Sequence, residues 1–600
     1  VTSVNERLLA NKALCLIVAF GFGLRVSCLF WGLNPFPDYS INYGGGFYDP
    51  DERAVYDQAL GFPGNIIHNP PYAYGSTVPY AVGLVCLPFK ELFSSLMNNP
   101  RAYETLIIVM CRLGSVCAGT ASIALAYLLA RRFSGHVGGL IAAGFLAVSF
   151  THCMNSVYCN LDIWMGFLLL ANFVWLFAAF EPPGPDFRRF AILGILTGLL
   201  VGTKVTTGIF VAAPAALWLW RVVQDRRLCA ATGREFSIAG WLFLFVAYGV
   251  TAGAVYAITN PHIVLHLRQY FAFMRELKRT WYDSHAVSRI EVLSHWTLVS
   301  QLALGTPVCI LAAAGVVVLW RVHRAYTASL VSVLALHYSL FPYYFQTRYV
   351  ATIAPLLCAL AAAACAQCLA SRRLAVRGLG GYLVVVAVAY SGLMCASGYY
   401  FRVHDPRDVA LDYLQKHIAG HCTYAYGDTD FGNGEWLYPV LDRIHFEKVG
   451  IAETPDVILV DVEHMKKVKE IIDLKLLDEN DRLTDAGIRQ WSPSRKQTPQ
   501  YFRAYRELID KDGRYQLVFK AESPHAVRPE YSSLGLSVFV RRDRLVALGL
   551  TDNDDEAISP QRRQLRVVPC ARESDVRTEE KDPRQQTRPS PTGPAAENPE

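Results

Sequence analysis

The chain has 600 residues, of which 52% are hydrophobic and 18% charged, and its formal net charge is +6. Soluble domains carry about 25% charged residues, so the deficit must lie in long apolar stretches, which excludes a single soluble globule. The mean hydropathy of +0.22 agrees, and no nucleic-acid partner is expected. The 15 Cys lie mostly in apolar runs, as at Cys111, Cys117 and Cys358. They show neither the paired spacing of a zinc site nor a regular disulfide framework, and read as small buried hydrophobes.

From the N-terminus, LCLIVAFGFGLRVSCLFWGL (14–33) is the first apolar run long enough to cross a bilayer, at roughly 20 residues. It is too long for a cleaved signal, lacks a small-residue cleavage site, and is followed by further spans. Lys and Arg resist translocation, so short basic links mark the cytoplasmic side. Such links occur at Arg131/Arg132, Arg188/Arg189, Arg221 to Arg234, Arg321/Arg324 and Arg372 to Arg377. Links with at most one basic residue lie between them, at 154–161, 203–206 and 346–349. The two sets alternate without a break if spans run near 14–33, 105–130, 137–153, 162–180, 190–203, 205–220, 239–259, 298–320, 327–345, 350–370 and 380–400. This predicts a polytopic α-helical protein of the plasma membrane with eleven spans. The N-terminus is then cytoplasmic and everything after 401 external.

VPYAVGLVCLPFKELFSSLM (78–97) is apolar enough to tempt a twelfth span, but counting it would put every later arginine-rich link outside. Its Pro79, Pro88 and Lys90/Glu91 pair suit an amphipathic helix at the interface. The first external loop then runs over 34–104 and holds a dense acidic cluster, Asp49, Asp51, Glu52 and Asp57. Spans 190–203 and 205–220 share the edge GTKVTTG, which points to a tilted or re-entrant segment. The loop 260–297 is basic (Arg268, Arg275, Lys278, Arg279, Arg289) although external, so its cations need another reason to be there.

Beyond the membrane part, 1–401, the composition changes. DPRDVALDYLQKHI reads as an amphipathic helix, PDVILVDV and LSVFVRR as strands, and YRELIDKDGRYQLVFK as helix, turn and strand. A small soluble external α/β domain over 402–545 is expected, followed by a polar, Pro-rich disordered tail, 546–600.

Several ionisable residues lie near the hydrocarbon. Asp162 opens a span, Lys204 lies between two, and Arg348 with Tyr349 stands at a span edge. Singly, each has a structural reading: a lone Asp at a helix start caps it, and a terminal Lys snorkels. All of them, with the acidic cluster, fall on the external face, and charges at membrane depth are usually functional. Carboxylates can deprotonate a nucleophile or hold a divalent ion; cations can hold a phosphate and stabilise it as it leaves. The chemistry expected of such a site is glycosyl transfer from a polyprenyl-phosphate sugar.

YDPDERAVYDQAL resembles the Asp-Glu motif in the first external loop of the GT-C glycosyltransferases, in the branch of the protein O-mannosyltransferases and the aminoarabinose transferase of lipid A. NPPYAYGSTVPY is similar to the Pro-Pro turn that follows there. The stretch from CRLGSVCAGT to NLDIWMGFLLL resembles the next landmark, and GLLVGTKVTTGIFVAAP and TRYVATIAPLLCALAA look like two more. The resemblance covers about 1–400. It implies a GT-C fold in which Asp51 is the general base or orients the acceptor, Glu52 is its motif partner and Asp162 the second external carboxylate. Lys204, Arg348 and Tyr349 match candidate contacts to the lipid phosphate by position. In one departure, His68-Asn69 precede Pro70-Pro71, where aminoarabinose transferases carry a Lys. A phosphate contact from that place must come from elsewhere, with Arg275 and Lys278 as candidates, and the departure argues against an aminoarabinose transferase. Asp49 and Asp51 are candidate ligands for Mg2+ or Mn2+, beside the reading of a solvated acidic loop. The implied partners are a polyprenyl-phosphate sugar, a protein, lipid or glycan acceptor, and membrane lipids.

Two other classes compete. A secondary transporter would show inverted repeats and midplane charges, whereas these charges lie at span ends and no repeat is visible. A polysaccharide polymerase or ligase would place its large external loop late in the span order, and here it follows the first span.

Overall fold

A computed structural model describes residues 4–27, 29, 50–67, 75–96, 102–180, 186–232, 236–277, 289–340, 347–403 and parts of 409–550. Helix α1 is Val4–Val26, so it ends seven residues before the expected span does. The first loop contributes α2 (Pro50–Leu60) and α3 (Thr77–Cys86). After α3 comes a 3-10 turn, Leu87–Phe89, and then α4 (Lys90–Leu96). The stretch 78–97 is thus interrupted at Pro88, and Leu84, Val85, Phe89 and Leu92 are exposed along it.

Next, α5 (Ala102–Ala147) joins two expected spans, and it is not one rod. Gly135 has φ 67° and ψ −168°, a conformation that favours glycine and ends a helix. In a straight helix Tyr127 and Gly139 would stand about 18 Å apart; instead Gly139 packs against the Tyr127 ring and carbonyl. The Tyr127 hydroxyl also meets His136 Nδ1 at 2.7 Å. The chain therefore reverses at the basic link Arg131/Arg132.

The remaining membrane-part helices follow in order. They are α6 (Phe150–Ser156), α7 (Leu161–Phe180), α8 (Phe187–Thr203), α9 (Ala212–Thr232) and α10 (Ile238–Thr259). Then come α11 (Pro261–Leu265), α12 (Leu267–Leu277), α13 (Arg289–Leu304) and α14 (Thr306–Val322). The set closes with α15 (Arg324–Leu340), α16 (Thr347–Leu369) and α17 (Leu374–Val403). Among the described residues six helical stretches are long and apolar enough to cross a membrane, the α5 stretch with its two arms counting once. A seventh arises if Trp296–Leu304 and Thr306–Val322, bent by 110°, form one span. That bend interrupts the expected span 298–320: Gly305 has φ 89°, and Pro307 cannot donate to the preceding turn. Helices α8 and α15 have 17 residues each, about 25 Å of rise, short of a roughly 30 Å hydrocarbon core. The expected eleven therefore include segments that are short, bent or folded back.

Burial orders the bundle. The apolar window of α16 is 94% buried and that of α10 only 11%. The alanine-rich sequence of α16 lets neighbours approach closely, the usual route to packing where no hydrophobic drive separates helices from lipid. Gly166 of α7 lies against the backbone of Ala351 and Thr352, which brings the second turns of α7 and α16 side by side.

Among the described residues the C-terminal part holds a five-stranded sheet. Its strands are β1 (Thr423–Tyr426), β2 (Glu447–Lys448), β3 (Val457–Asp461), β4 (Tyr515–Ala521) and β5 (Leu536–Arg541), in the order β2-β1-β3-β5-β4. β1 runs parallel to β2 and β3, and β5 antiparallel to β3 and β4. Period-two alternation divides its residues between two cores. Ile458, Val460 and Phe539 pack with Val468 and Phe502, from the helices Val462–Asp473 and Pro499–Ile509. Val457, Leu459, Val538 and Val540 pack with Ala410, Leu414 and Ile418. The strands and the helix–turn–strand unit lie where the alternation placed them; the expected tail lies outside the described residues, apart from Leu550.

Candidate active site

Pro50 opens α2, a position where its missing N–H costs nothing. Glu52 in the first turn is 1% exposed. Arg112 of α5, itself fully buried, donates from Nε and Nη2 to the two Glu52 carboxylate oxygens, both at 2.7 Å. The Cys159 amide donates to Glu52 Oε1 at 2.9 Å, and Arg112 Nη1 donates to the Leu29 carbonyl at 2.9 Å. A bidentate pair of this kind fixes geometry as well as charge. It ties the acidic loop to the chain entering α7.

That entry is itself ordered by side chains. Asn160 accepts from the Asp162 amide at 2.7 Å and donates to Asn155 Oδ1 at 2.8 Å, and the Tyr158 hydroxyl donates to the same oxygen. Asp162 is thereby held at the start of α7, its side chain 5% exposed. Its Oδ1 lies 3.3 Å from Lys204 Nζ. Lys204 interrupts the path from α8 into the 3-10 turn Val205–Val211, in extended backbone with φ −157° and ψ 117°. Its ammonium stands 5.2 Å from the centre of the Tyr349 ring, and Arg348 Cζ 5.3 Å from the same ring. Two cations thus flank one aromatic ring. His337 of α15 meets the Tyr349 carbonyl through Nε2 at 2.9 Å, and stacks on Phe210 at 6.0 Å. Among the described residues the cluster brings the cations of Lys204 and Arg348 together with the carboxylate of Asp162.

The first loop reaches this end of the bundle a second time. Gly75 N donates to the Thr203 carbonyl at 3.0 Å, one residue before Lys204, and Gly75 packs directly on Gly202. Ser76 N donates to Asn260 Oδ1 at 2.8 Å, which joins the end of α10 to the same junction.

Of the residues expected from the sequence, Asp162, Lys204, Arg348 and Tyr349 therefore form one contiguous group, and Glu52 is tied through the Cys159 amide to the segment that leads into Asp162. Asp51 belongs to the first turn of α2, but its side chain, like Asp49 and Lys278, lies outside the described residues. Arg275 is exposed on α12, its Nε directed at the Phe271 carbonyl at 3.4 Å, and no described contact links it to Lys204. Among the described residues no group of three His, Cys, Asp or Glu is arranged to hold a metal ion. The Mg2+ or Mn2+ expectation rests on Asp49 and Asp51, and so falls outside them.

Sequence reasoning passed over Arg112 and Arg25. Arg25 is fully buried, donating to the carbonyls of Gly21, Leu146 and Ala147 and meeting His152 Nδ1 at 2.9 Å. The available signal was a cation several residues inside an apolar run.

Residues 107–263 match the model of the family described as dolichyl-phosphate-mannose-protein mannosyltransferase, a stretch that includes Arg112, Asp162 and Lys204. The resemblance to the protein O-mannosyltransferase and aminoarabinose-transferase branch of the GT-C glycosyltransferases, read from the motifs, is borne out there. No curated protein matches the chain. Among solved structures, the chain is similar to the archaeal oligosaccharyltransferase AglB from Archaeoglobus fulgidus, in complex with an inhibitory peptide and a dolichol-phosphate. That match has 13% identity and a TM-score of 0.47, and covers 90% of this chain and 89% of that one. It is also similar to ArnT from Cupriavidus metallidurans bound to undecaprenyl phosphate, at 12% identity and a TM-score of 0.42, over 78% of this chain and 95% of that one.

Proposed function

We propose that the chain is an integral-membrane glycosyltransferase of the GT-C type, moving a sugar from a polyprenyl-phosphate donor to a protein, lipid or glycan acceptor at the external face. The observation that carries this reading is the bracket of Lys204 and Arg348 around Tyr349, beside Asp162. It lies at helix ends, where a lipid phosphate can be met while its tail stays in hydrocarbon. The family matched over 107–263 is described by a lipid-phosphate-linked sugar, which supports the same donor class.

In this reading Lys204 and Arg348 hold the phosphate and stabilise it as it departs with the electron pair of the broken glycosyl–oxygen bond. The acceptor attacks the anomeric carbon, and its proton passes to Asp51. Glu52 touches no reacting atom. Its pair with Arg112 positions the turn that carries Asp51. Asp162 orients the Lys204 ammonium. The orientation that follows from arginine placement puts the N-terminus in the cytoplasm and the α/β part outside.

The test is incubation of the purified protein with a panel of polyprenyl-phosphate sugars and candidate acceptors, scoring release of polyprenyl phosphate. Release with at least one donor is the expected result. A folded protein that releases it from none of the panel overturns the reading.

A further inference from the structure

Beside the cation bracket, three elements meet in a polar cluster that the chemistry above does not use. Gln58 of α2 is 1% exposed, Ser76 fully buried, and His262 of α11 2% exposed. Ser76 Oγ lies 3.4 Å from Gln58 Oε1 and 3.4 Å from His262 Nδ1, and the Tyr80 ring stands edge-on to the imidazole at 6.3 Å. Two atoms of the cluster, Gln58 Nε2 and His262 Nε2, are buried without a hydrogen-bond partner among the described residues, as is Thr77 Oγ1 on the next residue, beside Gly202. Burial, with His266 nearby, pushes the His262 imidazole down to about 4, so it is neutral near pH 7.

Leaving a buried donor or acceptor unmade costs about 1–3 kcal/mol. Three such atoms, two within the cluster and one on the residue beside it, leave polar contacts open at this junction. The chemistry they accept is narrow. Among the described residues no charged side chain belongs to the cluster, so a phosphate gains little there, and a hydrocarbon chain would leave all three atoms unmet. A neutral ligand bearing hydroxyls meets them, since each hydroxyl both donates and accepts. The hydrogen bond from Gly75 to Thr203 and that from Ser76 to Asn260 fix the cluster against the backbone next to Lys204.

We propose that Gln58, Thr77 and His262 form a neutral cradle for the hydroxyl groups of the donor's sugar, and so set which sugar is used. This rests on the glycosyltransferase reading, with the phosphate at Lys204 and the sugar extending toward α2 and α11. Sites built to hydrogen-bond a hydroxyl reject analogues lacking it far more strongly than apolar pockets reject a methylene, so these residues would dominate selectivity.

The experiment compares equilibrium binding of the full chain, in lipid nanodiscs, to a polyprenyl phosphate without sugar and to its mannosyl, glucosyl and arabinosyl esters. The wild type is expected to bind at least one ester more tightly than the bare lipid phosphate. Thr77→Val, which exchanges a hydroxyl for a methyl, and Gln58→Leu should each weaken that ester roughly fivefold to a hundredfold, from the loss of one buried contact. The bare lipid phosphate should bind them as it binds the wild type, which also shows that they are folded. His262→Gln, which keeps an amide donor and acceptor, should lose less than His262→Leu. If Gln58→Leu fails to fold, Thr77→Val decides. Variants that keep the wild-type margin for the ester overturn the cradle and assign its open atoms to bound water, and an equal loss for bare lipid and ester assigns them to structure. A wild type that binds the bare lipid phosphate but favours no ester overturns the cradle alone. Binding of none of the four lipids overturns the glycosyltransferase reading and the cradle with it.

Discussion

Glu52 and Arg112 exchange two charge-assisted hydrogen bonds in a place closed to water, and this makes their separate removal asymmetric. Glu52→Gln leaves a buried guanidinium without its counter-charge, which typically costs 3–5 kcal/mol. The thermal transition in detergent should fall accordingly, and Arg112→Met should restore part of the loss in the Glu52→Gln background. A Glu52→Gln protein as stable as the wild type would show that the pair does not hold the loop. Arg348 is different in kind, because it is half-buried over the Tyr349 ring and the proposed function assigns it the lipid phosphate. Losing one charge-assisted contact costs about 1.5–3 kcal/mol, so Arg348→Ala should weaken donor binding roughly tenfold to a hundredfold while the protein stays folded. Unchanged donor affinity assigns that Arg to structure. Loss of a general base costs about 10²–10⁴ in rate. Asp51→Asn should accordingly lower turnover that far with donor binding little changed, and near-normal turnover moves the base role to Asp162.

Elements meet at the site through close backbone approaches as much as through side chains. A Cβ at Gly75 would run into the carbonyl of Gly202, so Gly75→Ala must push the first loop away from the end of α8. The expected consequence is a raised KM for the donor and a lowered kcat together, with Lys204 itself intact. A Gly75→Ala enzyme with wild-type constants rules out a functional role for that crossing. Farther away, Gly305 separates α13 from α14 with φ 89° and ψ 139°, and the Tyr390 ring closes over it. Conformations of that kind cost a non-glycine residue about 1–3 kcal/mol. Gly305→Ala should lower the unfolding temperature while leaving donor selectivity alone, which thermal melts and the binding panel can separate.

At the scale of the molecule, the reading depends on which side of the membrane the cluster faces. Single cysteines at 51, 227 and 430, probed in intact cells with an impermeant thiol reagent, distinguish the topologies. Labelling is expected at 51 and 430 and not at 227; labelling at 227 but not at 430 overturns the eleven-span orientation. The same experiment bears on the α/β part. Its sheet, with helices Val462–Asp473 and Pro499–Ile509 packed on it, reads as a body with its own cores.

The length of the apolar runs and the alternation of arginine-rich links determined, by themselves, that this chain is a bundle of membrane helices followed by an α/β region. A bilayer demands apolar lengths and a sheet demands period two, and both demands are written locally. The edge positions of Asp162, Lys204, Arg348 and Tyr349 were legible for the same reason, since charges at apolar boundaries stand out. Partnership was not legible. Glu52 and Arg112 lie 60 residues apart, and Ser76 and Asn260 184 apart. Arg112 and Arg25 looked like interruptions of greasy segments until the helices around them supplied a carboxylate or a row of carbonyls. Only the tertiary structure decided which charges are paired and which polar atoms are left open. Pairing depends on which helix faces meet, and no residue's own neighbours in the chain record that.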